Sequence, residues 1–450
     1  MTEDRETISA IATPPGTGGI GIVRISGPKA LSIAHRITGL DPEPRRATYG
    51  TFHDHDNRII DRGIVLYFKG PESYTGEDVV EFHGHGGQVV LNLLLRQTLA
   101  HGARPARPGE FTERAFLNGK LDLVQAEAVA DLINSKSEYA ARSAIRSLEG
   151  EFSRAVSLLQ ENIIAIRVYV ESALDFPEEE LDFPARPDIA ERTAACINDI
   201  DGLLRNARSG RVLNEGIRAV IVGRPNVGKS SILNRLSGIE RAIVTEIPGT
   251  TRDVIEDRII IEGTFINVVD TAGIHDTDNL VEKAGIRRSL AEIDKADVVL
   301  LVTESGVTSP HDLEDLSGTL PAHKQVILIE NKIDLTNTRP ARVLENDRPM
   351  IALSAKTGAG MDLLMLTLRE IAGLTDSMET PVLARTRHIE ALEETRRCLD
   401  EGLKKHLENN AAELFAAELT NAQAALGGIT GAFGADQLLA EIFSKFCIGK

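Results

Sequence analysis

Hydrophobic positions over residues 1 to about 118 come in short runs punctuated by glycine and proline. IGIVRISG (20 to 27), GIVLYFKG (63 to 70) and EDVVEFHGHGG (77 to 87) predict strands, and ALSIAHRI and VVLNLLLRQTLAHG predict helices. A small α+β domain results. From Leu121 the apolar spacing lengthens to three and four, the helical period. Val124, Ala128, Val129, Leu132 and Ile133 share one face. After Gly150 the stripe is Phe152, Val156, Leu159, Ile163, Ile166 and Val170. Prolines and an acidic run in DFPEEELDFPARPD (175 to 188) break it, and Ile189, Cys196, Ile200 and Leu203 resume it to about Gly210. Beyond a polar link near LTDSMETP (374 to 381), Ile389, Leu392, Leu399, Leu403 and Leu407 are again in phase.

Either helical block alone would leave its stripe wet, so one bundle interrupted by an inserted α/β domain is expected. The fold class is multidomain α+β. Its expected parts are 1–118, a small α+β domain; 119–212, the first part of the helical domain; 213–375, an inserted Ras-like P-loop α/β domain; and 376–450, the second helical part.

The inserted part carries the densest chemistry. Ala219-Val220-Ile221-Val222 reads as a strand buried on both faces, and it runs into Gly223 to Ser230, which fits G-x-x-x-x-G-K-[ST]. Asn226, Val227, Gly228, Lys229, Ser230 and Ser231 then form a phosphate cradle at a helix N-terminus. Backbone N–H groups meet the β-phosphate, Lys229 supplies a point charge and Ser230 a hydroxyl for Mg²⁺. Four further elements follow in the order a GTPase requires. The loop Thr245, Glu246, Ile247, Pro248, Gly249, Thr250 and Thr251 brings a threonine hydroxyl to Mg²⁺, through Thr251. Asp270, Thr271, Ala272 and Gly273 follow the strand FINVVD; the aspartate holds the metal through water and the Gly273 N–H meets the γ-phosphate. Asn331, Lys332 and Asp334 end the strand QVILIE, and a carboxylate at 334 accepts from the two adjacent donors of guanine. Ser354, Ala355 and Lys356 close the base from the other side.

Where many small GTPases keep a water-orienting glutamine, this chain has Ile274. The water must be oriented by another group. Asn226 is compatible with a monovalent cation between the phosphates and the loop 245 to 250, a charge that substitutes for an arginine finger.

Composition narrows the partners. The 450 residues are 42% hydrophobic and 26% charged with a net charge of −17, so any RNA contact needs a local patch or a partner. Three scattered cysteines, Cys196, Cys398 and Cys447, argue for a reducing compartment. The N-terminus has no apolar core, and no apolar run reaches the ~18 residues of a membrane helix, so a cytoplasmic protein is expected. Arg24 and Glu81 sit inside apolar strands and need partners if buried; the residues alone favour an ion pair within the domain over a charged ligand pocket. His53, His55, His83 and His85 read as loop histidines beside turns, not as a zinc site.

These residues bring a family with them. Along nearly its full length the chain resembles the tRNA modification GTPases of the MnmE (TrmE) family. The resemblance rests on ATPPGTGGIGIVRISG, SYTGEDVVEFHGHGG, RAFLNGKLDLVQAEAVADLI, GRPNVGKSS, EIPGTTRDV, DTAGI, NKID and the terminal FCIGK. It implies a homodimer that works with the FAD-binding protein MnmG (GidA). Together they add a carboxymethylaminomethyl or aminomethyl group at C5 of the wobble uridine of certain tRNAs. The one-carbon unit is implied to come from a tetrahydrofolate, 5-formyl- or 5,10-methylene-, in the N-terminal domain. Position by position, the resemblance places Arg24, Glu81, Lys120 and Lys450 around that folate. It places K⁺ on Asn226, Thr245, Ile247 and Thr250, and the hydrolytic water on Glu282. Cys447 matches the signature cysteine; a buried structural thiol and a chemical role both fit it. His275 departs from the arginine common in relatives and receives no role.

The competing reading is a GTP-switched ribosome-assembly or RNA-binding module. Such modules append a basic domain, whereas residues 411 to 450 hold two lysines against four acidic residues.

Overall fold

The computed structural model describes residues 6–135, 138–175, 187–239, 256–261, 264–270, 293, 295–307, 324–345, 348–371, 384–409, 411–431, 439, 442–444, 446 and 449. By packing, the chain divides into two compact units, one of residues 1–133, 145–200 and 391–450, the other of 134–144 and 201–390.

The first unit opens with β1 (Ile8–Ile11), β2 (Gly18–Ser26), α1 (Ala30–Thr38), β3 (Thr48–His53), β4 (Ile59–Phe68), β5 (Val79–Gly86), α2 (Gln88–Ala100), β6 (Arg104–Pro105) and α3 (Glu110–Leu117). The strands form one sheet in the order β3-β4-β5-β2-β1-β6, antiparallel except for the β1/β6 pair. Alternation along β2, β4 and β5 sends Val23, Ile25, Val65, Tyr67, Val80 and Phe82 to one face, where Ile33 and Ile37 of α1 and Leu91 and Leu94 of α2 close a core. The opposite face carries Arg24 and Glu81, directly opposed across β2 and β5.

Helices α4 (Leu123–Asn134), α5 (Glu138–Leu148), α6 (Glu151–Asp175) and α7 (Pro187–Glu215) follow, and near the C-terminus come α11 (Thr386–Asn409) and α12 (Ala412–Thr430). The α6 stripe Phe152, Val156, Leu159, Ile163, Ile166 and Val170 is buried throughout. It packs along α12. The α11/α12 pair is an antiparallel hairpin, with His406 stacked on Phe415 at 5.4 Å and Lys405 3.0 Å from Glu418. Two expected stripe positions differ. Ile133 is 44% exposed and Leu407 is 61% exposed, each in the last turn of its helix. The buried face of α4 instead runs through Leu123, Val124, Ala126, Glu127 and Ala128. On this face Leu123 and Ala126 meet Ile442, Phe443 and Phe446, which brings the end of the chain back to α3 and α4.

The second unit is a seven-stranded sheet of β7 (Ile217–Gly223), β8 (Glu256–Ile261), β9 (Thr264–Asp270), β10 (Val298–Glu304), β11 (Gln325–Asn331), β12 (Ala341–Glu345) and β13 (Arg348–Ala352), in the order β12-β13-β11-β10-β7-β9-β8. The five inner strands are parallel and the two edges antiparallel. Helices α8 (Lys229–Ile239), α9 (Ile333–Thr336) and α10 (Met361–Ile371) complete it. Ile217, Ala219 and Ile221 of β7 face Ile232 and Leu236 of α8 and Leu364 and Leu368 of α10; Val220 and Val222 face Ile293 and Ala296. Burial on both faces is why β7, β10 and β11 read as unbroken apolar runs. The chain reverses direction across the sheet at β7, with β9 on one side and β10 on the other, so the crevice beyond its C-terminal end is where an open α/β sheet binds ligands.

Candidate functional site

The loop after β7 lies in that crevice. Asn226 adopts a left-handed backbone (φ 63), which asparagine tolerates better than most residues, and Gly228 follows at φ 99. A side chain at 228 would place its Cβ 2.3 Å from Asn331 Nδ2, so only glycine lets the two loops meet. Val227 is buried and anchors the loop, whereas Ser230 and Ser231 are exposed in the first turn of α8. The Lys229 ammonium donates to the carbonyls of Gly223 (2.8 Å) and Arg224 (2.9 Å), spanning the loop.

Two strands away, β11 ends at Asn331, which is 2% exposed. Its Nδ2 donates to the Val227 carbonyl (2.8 Å) and its Oδ1 accepts from the Ala355 N–H (3.0 Å). One side chain therefore joins the phosphate loop to the loop holding Ser354, Ala355 and Lys356. Lys332 is left-handed (φ 66) and caps α9, which puts Asp334 in the first turn. Asp334 Oδ1 accepts from Ser354 Oγ at 2.6 Å. That hydrogen bond, with the charges of Lys356 and Lys332, holds the Asp334 carboxyl below the usual range, and the half-buried carboxylate stays an acceptor. Asn226, Val227, Gly228, Lys229, Ser230, Ser231, Asn331, Lys332, Asp334, Ser354, Ala355 and Lys356 all lie on the strand end, loops and first helical turns at the C-terminal edge of one sheet. Asp270 ends β9 on the same edge. Thr245, Glu246, Ile247, Pro248, Gly249, Thr250, Thr251, Thr271, Ala272, Gly273 and Glu282 lie outside the described residues, as do Ile274 and His275.

The first unit holds a second cluster of charged groups. Arg24 Nε is 2.8 Å from Glu81 Oε1, and His83 Nε2 is 3.0 Å from Glu81 Oε2. Burial alone would raise the Glu81 carboxyl, but the His83 hydrogen bond and the Arg24 charge outweigh it and keep Glu81 ionised. The Arg24 guanidinium lies 5.8 Å from the Tyr74 ring centre and 5.7 Å from that of Phe111, within cation–π range of both. Arg24 Nη1 reaches the Gly449 carbonyl at 3.5 Å. Arg24 and Glu81 form the polar wall of a cavity of about 440 Å³, otherwise lined by Ala12, Phe68, Tyr74, Val79, Val129, Ile133 and Gly449. The ion pair expected from sequence and the charged pocket are thus one feature. Lys120 stands on the turn after α3 with its stem beside Gly76 and is not among the lining residues. Lys450 and Cys447 lie outside the described residues.

Sequence reasoning missed Tyr74, Phe111 and His83 as neighbours of the pair. It also assigned Val129 and Ile133 to a core stripe, whereas they wall the cavity. Three of the four histidines lie in strands and not in loops: His53 ends β3, and His83 and His85 lie within β5, with His85 Nδ1 2.8 Å from Asp61, whereas His55 stands in the turn after β3 as expected. Among the described residues no group of histidines, cysteines and carboxylates is placed to hold a metal ion. No described helix is long and apolar enough to cross a membrane. Cys196 and Cys398 are buried free thiols, and burial with the Glu394 charge pushes Cys398 up to about 12.

A parallel sheet with a glycine-lysine-serine loop at its reversal point and an asparagine-lysine-aspartate edge defines a P-loop GTPase. Comparison with known proteins extends this to the whole chain. The MnmE helical domain matches residues 123–447 and the GTP-binding protein TrmE N-terminus matches residues 7–120. The tRNA modification GTPase MnmE of Stutzerimonas stutzeri (strain A1501) is 49% identical over 455 residues, covering 100% of both chains. That of Pasteurella multocida (strain Pm70) is 49% identical over 99% of this chain and 100% of its own. That of Azoarcus sp. (strain BH72) is 50% identical over 99% of this chain and 98% of its own. The chain belongs to the MnmE family of tRNA modification GTPases, and it is a GTP-hydrolysing enzyme.

Proposed function

We propose that this chain couples K⁺-stimulated GTP hydrolysis to modification of tRNA at C5 of the wobble uridine, as a cytoplasmic homodimer working with the FAD-binding protein MnmG. In this reading GTP lies along the C-terminal edge of the second unit's sheet. Lys229 and the loop N–H groups hold its phosphates, and Asp334 accepts from the guanine edge. The exposed Ser230 hydroxyl in the first turn of α8, together with Thr251, would hold Mg²⁺. Asn226, held in the left-handed conformation on the loop, would hold K⁺ with Thr245, Ile247 and Thr250. Glu282 orients the water that Ile274 cannot.

The observation that carries the one-carbon half is the Arg24–Glu81 pair on the wall of the cavity, with the Gly449 carbonyl beside it. An ionised carboxylate, a guanidinium and aromatic and aliphatic walls fit a flat heterocycle that offers N–H donors and a carbonyl. Glu81 would accept from ring N–H groups, Arg24 would donate to ring oxygen, and Lys120 and Lys450 would meet the folate's acidic tail. A tetrahydrofolate held there supplies the one-carbon unit. The wall residues bind and orient it, and Val79, Val129 and Ile133 exclude water from one side. On this reading residues 1–118, 119–212 with 376–450, and 213–375 serve folate binding, transmission and GTP hydrolysis.

The test is GTP turnover of the purified chain in KCl and in NaCl at equal ionic strength, beside titration of 5-formyltetrahydrofolate into the parent and Glu81→Gln chains. Faster turnover in KCl and a loss of folate affinity in Glu81→Gln support the reading. Equal turnover removes the cation site, and equal folate affinity removes the pocket assignment.

A further inference from the structure

Asp334 stands between two lysines, Lys332 and Lys356, and the charge of each reaches its carboxylate. A lysine ammonium is a mobile point charge on a four-carbon stem, and one seated on Asp334 would consume the lone pairs that guanine needs. Lys332 is instead held elsewhere. Its Nζ lies 2.8 Å from Glu304 Oε2, with the two side chains 29% and 26% exposed. A pair so sheltered is screened less than a surface ion pair.

The sheet explains how a residue so far back in the chain comes to be there. Glu304 is the last residue of β10 and lies in parallel register with Asn331, the last residue of β11. The Ser305 N–H donates to the Asn331 carbonyl at 2.8 Å, which keeps the two strand ends together. Lys332 then turns left-handed, and its stem passes back towards the end of β10. Ser305 Oγ and Thr336 Oγ1, 3.0 Å apart, tie the next turn to α9.

We propose that Glu304 is a specificity-determining positioning residue: it holds the Lys332 ammonium off Asp334, so that the Asp334 carboxylate remains open to the N1–H and 2-amino donors of guanine. Glu304 touches no part of the nucleotide in this arrangement and acts through Lys332. Ser354, donating to Asp334 Oδ1, aims the carboxylate. Glu304 keeps the Lys332 ammonium from pairing directly with that carboxylate. The two together make one acceptor edge out of a segment that is otherwise rich in cations.

The test uses the full-length chain with Mg²⁺ and compares GDP with IDP, the same nucleotide without the 2-amino group. In Glu304→Gln the freed Lys332 competes for Asp334, so GDP affinity should fall about tenfold or more, the size of one charge-assisted hydrogen bond. IDP, with one donor fewer to lose, should fall less, and the GDP-to-IDP preference should shrink. Glu304→Asp should restore it in part. Adding Lys332→Met to Glu304→Gln keeps the stem, removes the competing charge and should recover the preference. Unchanged GDP affinity in Glu304→Gln would overturn the proposal, as would GDP and IDP weakening by one common factor, the signature of a purely structural role. A double variant no more selective than Glu304→Gln would also overturn it. Should Glu304→Gln melt too low to assay, the comparison of Lys332→Met with and without Glu304→Asp decides, since with Lys332 neutral the second change should cost no selectivity.

Discussion

Asn331 donates through Nδ2 to the carbonyl oxygen of Val227 at 2.8 Å, closing 104 residues of chain into one brace under the nucleotide site. The phosphate loop and the base loop are thereby parts of one object, because the same amide accepts from the Ala355 N–H.

Asn331→Ala would leave the buried Val227 carbonyl and the Ala355 N–H without these partners, at a cost of about 1–3 kcal/mol each. A lower melting temperature and weaker GDP binding are expected together. Asn331→Asp keeps the acceptor and loses the donor, so it should fall between parent and alanine. Melting curves with and without GDP read both effects, and an alanine variant as stable and as tight as the parent would remove the brace.

Lys229→Ala removes the charge that spans the phosphate loop, and nucleotide binding should be lost. Glu282→Ala should bind GTP normally and fail to hydrolyse it. Phosphate release and equilibrium binding separate the two, and parental turnover in Glu282→Ala would show that another group orients the water.

Glu110 should give the first unit an acid-side pH dependence of stability. Only 2% exposed, it pairs with Arg104 at 2.6 Å and Arg114 at 3.2 Å and accepts from the Arg107 N–H at 2.8 Å. Burial opposes its ionisation, but the Arg104 hydrogen bond and the others outweigh burial and lower it from 4.5 to about 2. A carboxyl lowered in the folded state stabilises fully above its unfolded value, and that stability is lost as pH falls from 4.5 towards about 2. Glu110→Gln should be less stable at neutral pH and show a flatter acid limb in urea melts. An acid limb identical to the parent's would place the sensitivity elsewhere.

Gly449 is left-handed (φ 97), and an added Cβ would sit 2.4 Å from the Ile11 carbonyl oxygen. Gly449→Ala should lift the end of the chain from β1 and part its carbonyl from Arg24. On the proposed reading, folate affinity should drop about five- to thirtyfold, the ~1–2 kcal/mol of one lost contact to a charged group. Calorimetric titration of both chains checks it; equal affinities would mean that the tail contributes nothing to the pocket.

The sequence by itself determined what is local or periodic. Val220 to Val222 had to be a strand buried on both faces, and Gly223 to Ser230 had to wrap a phosphate. The α6 stripe from Phe152 to Val170 had to find a partner helix, since spacing alone dictates which side chains share a face. Asp334 was legible for the same reason: its motif is contiguous and follows a strand. Periodicity names a face but not what closes over it. Val129 and Ile133 fit a core stripe, and only the fold made them the wall of a cavity. Tyr74 and Phe111 come to Arg24, and His83 to Glu81, through sheet register and helix placement, which no spacing rule encodes. The same holds for Glu304, which reaches Lys332 because two parallel strands end level. It holds for Gly449, whose backbone meets that of Ile11 although the two stand at opposite ends of the sequence. Long-range pairing is set by how whole elements bury their faces against each other, and that choice is made by the chain as a whole.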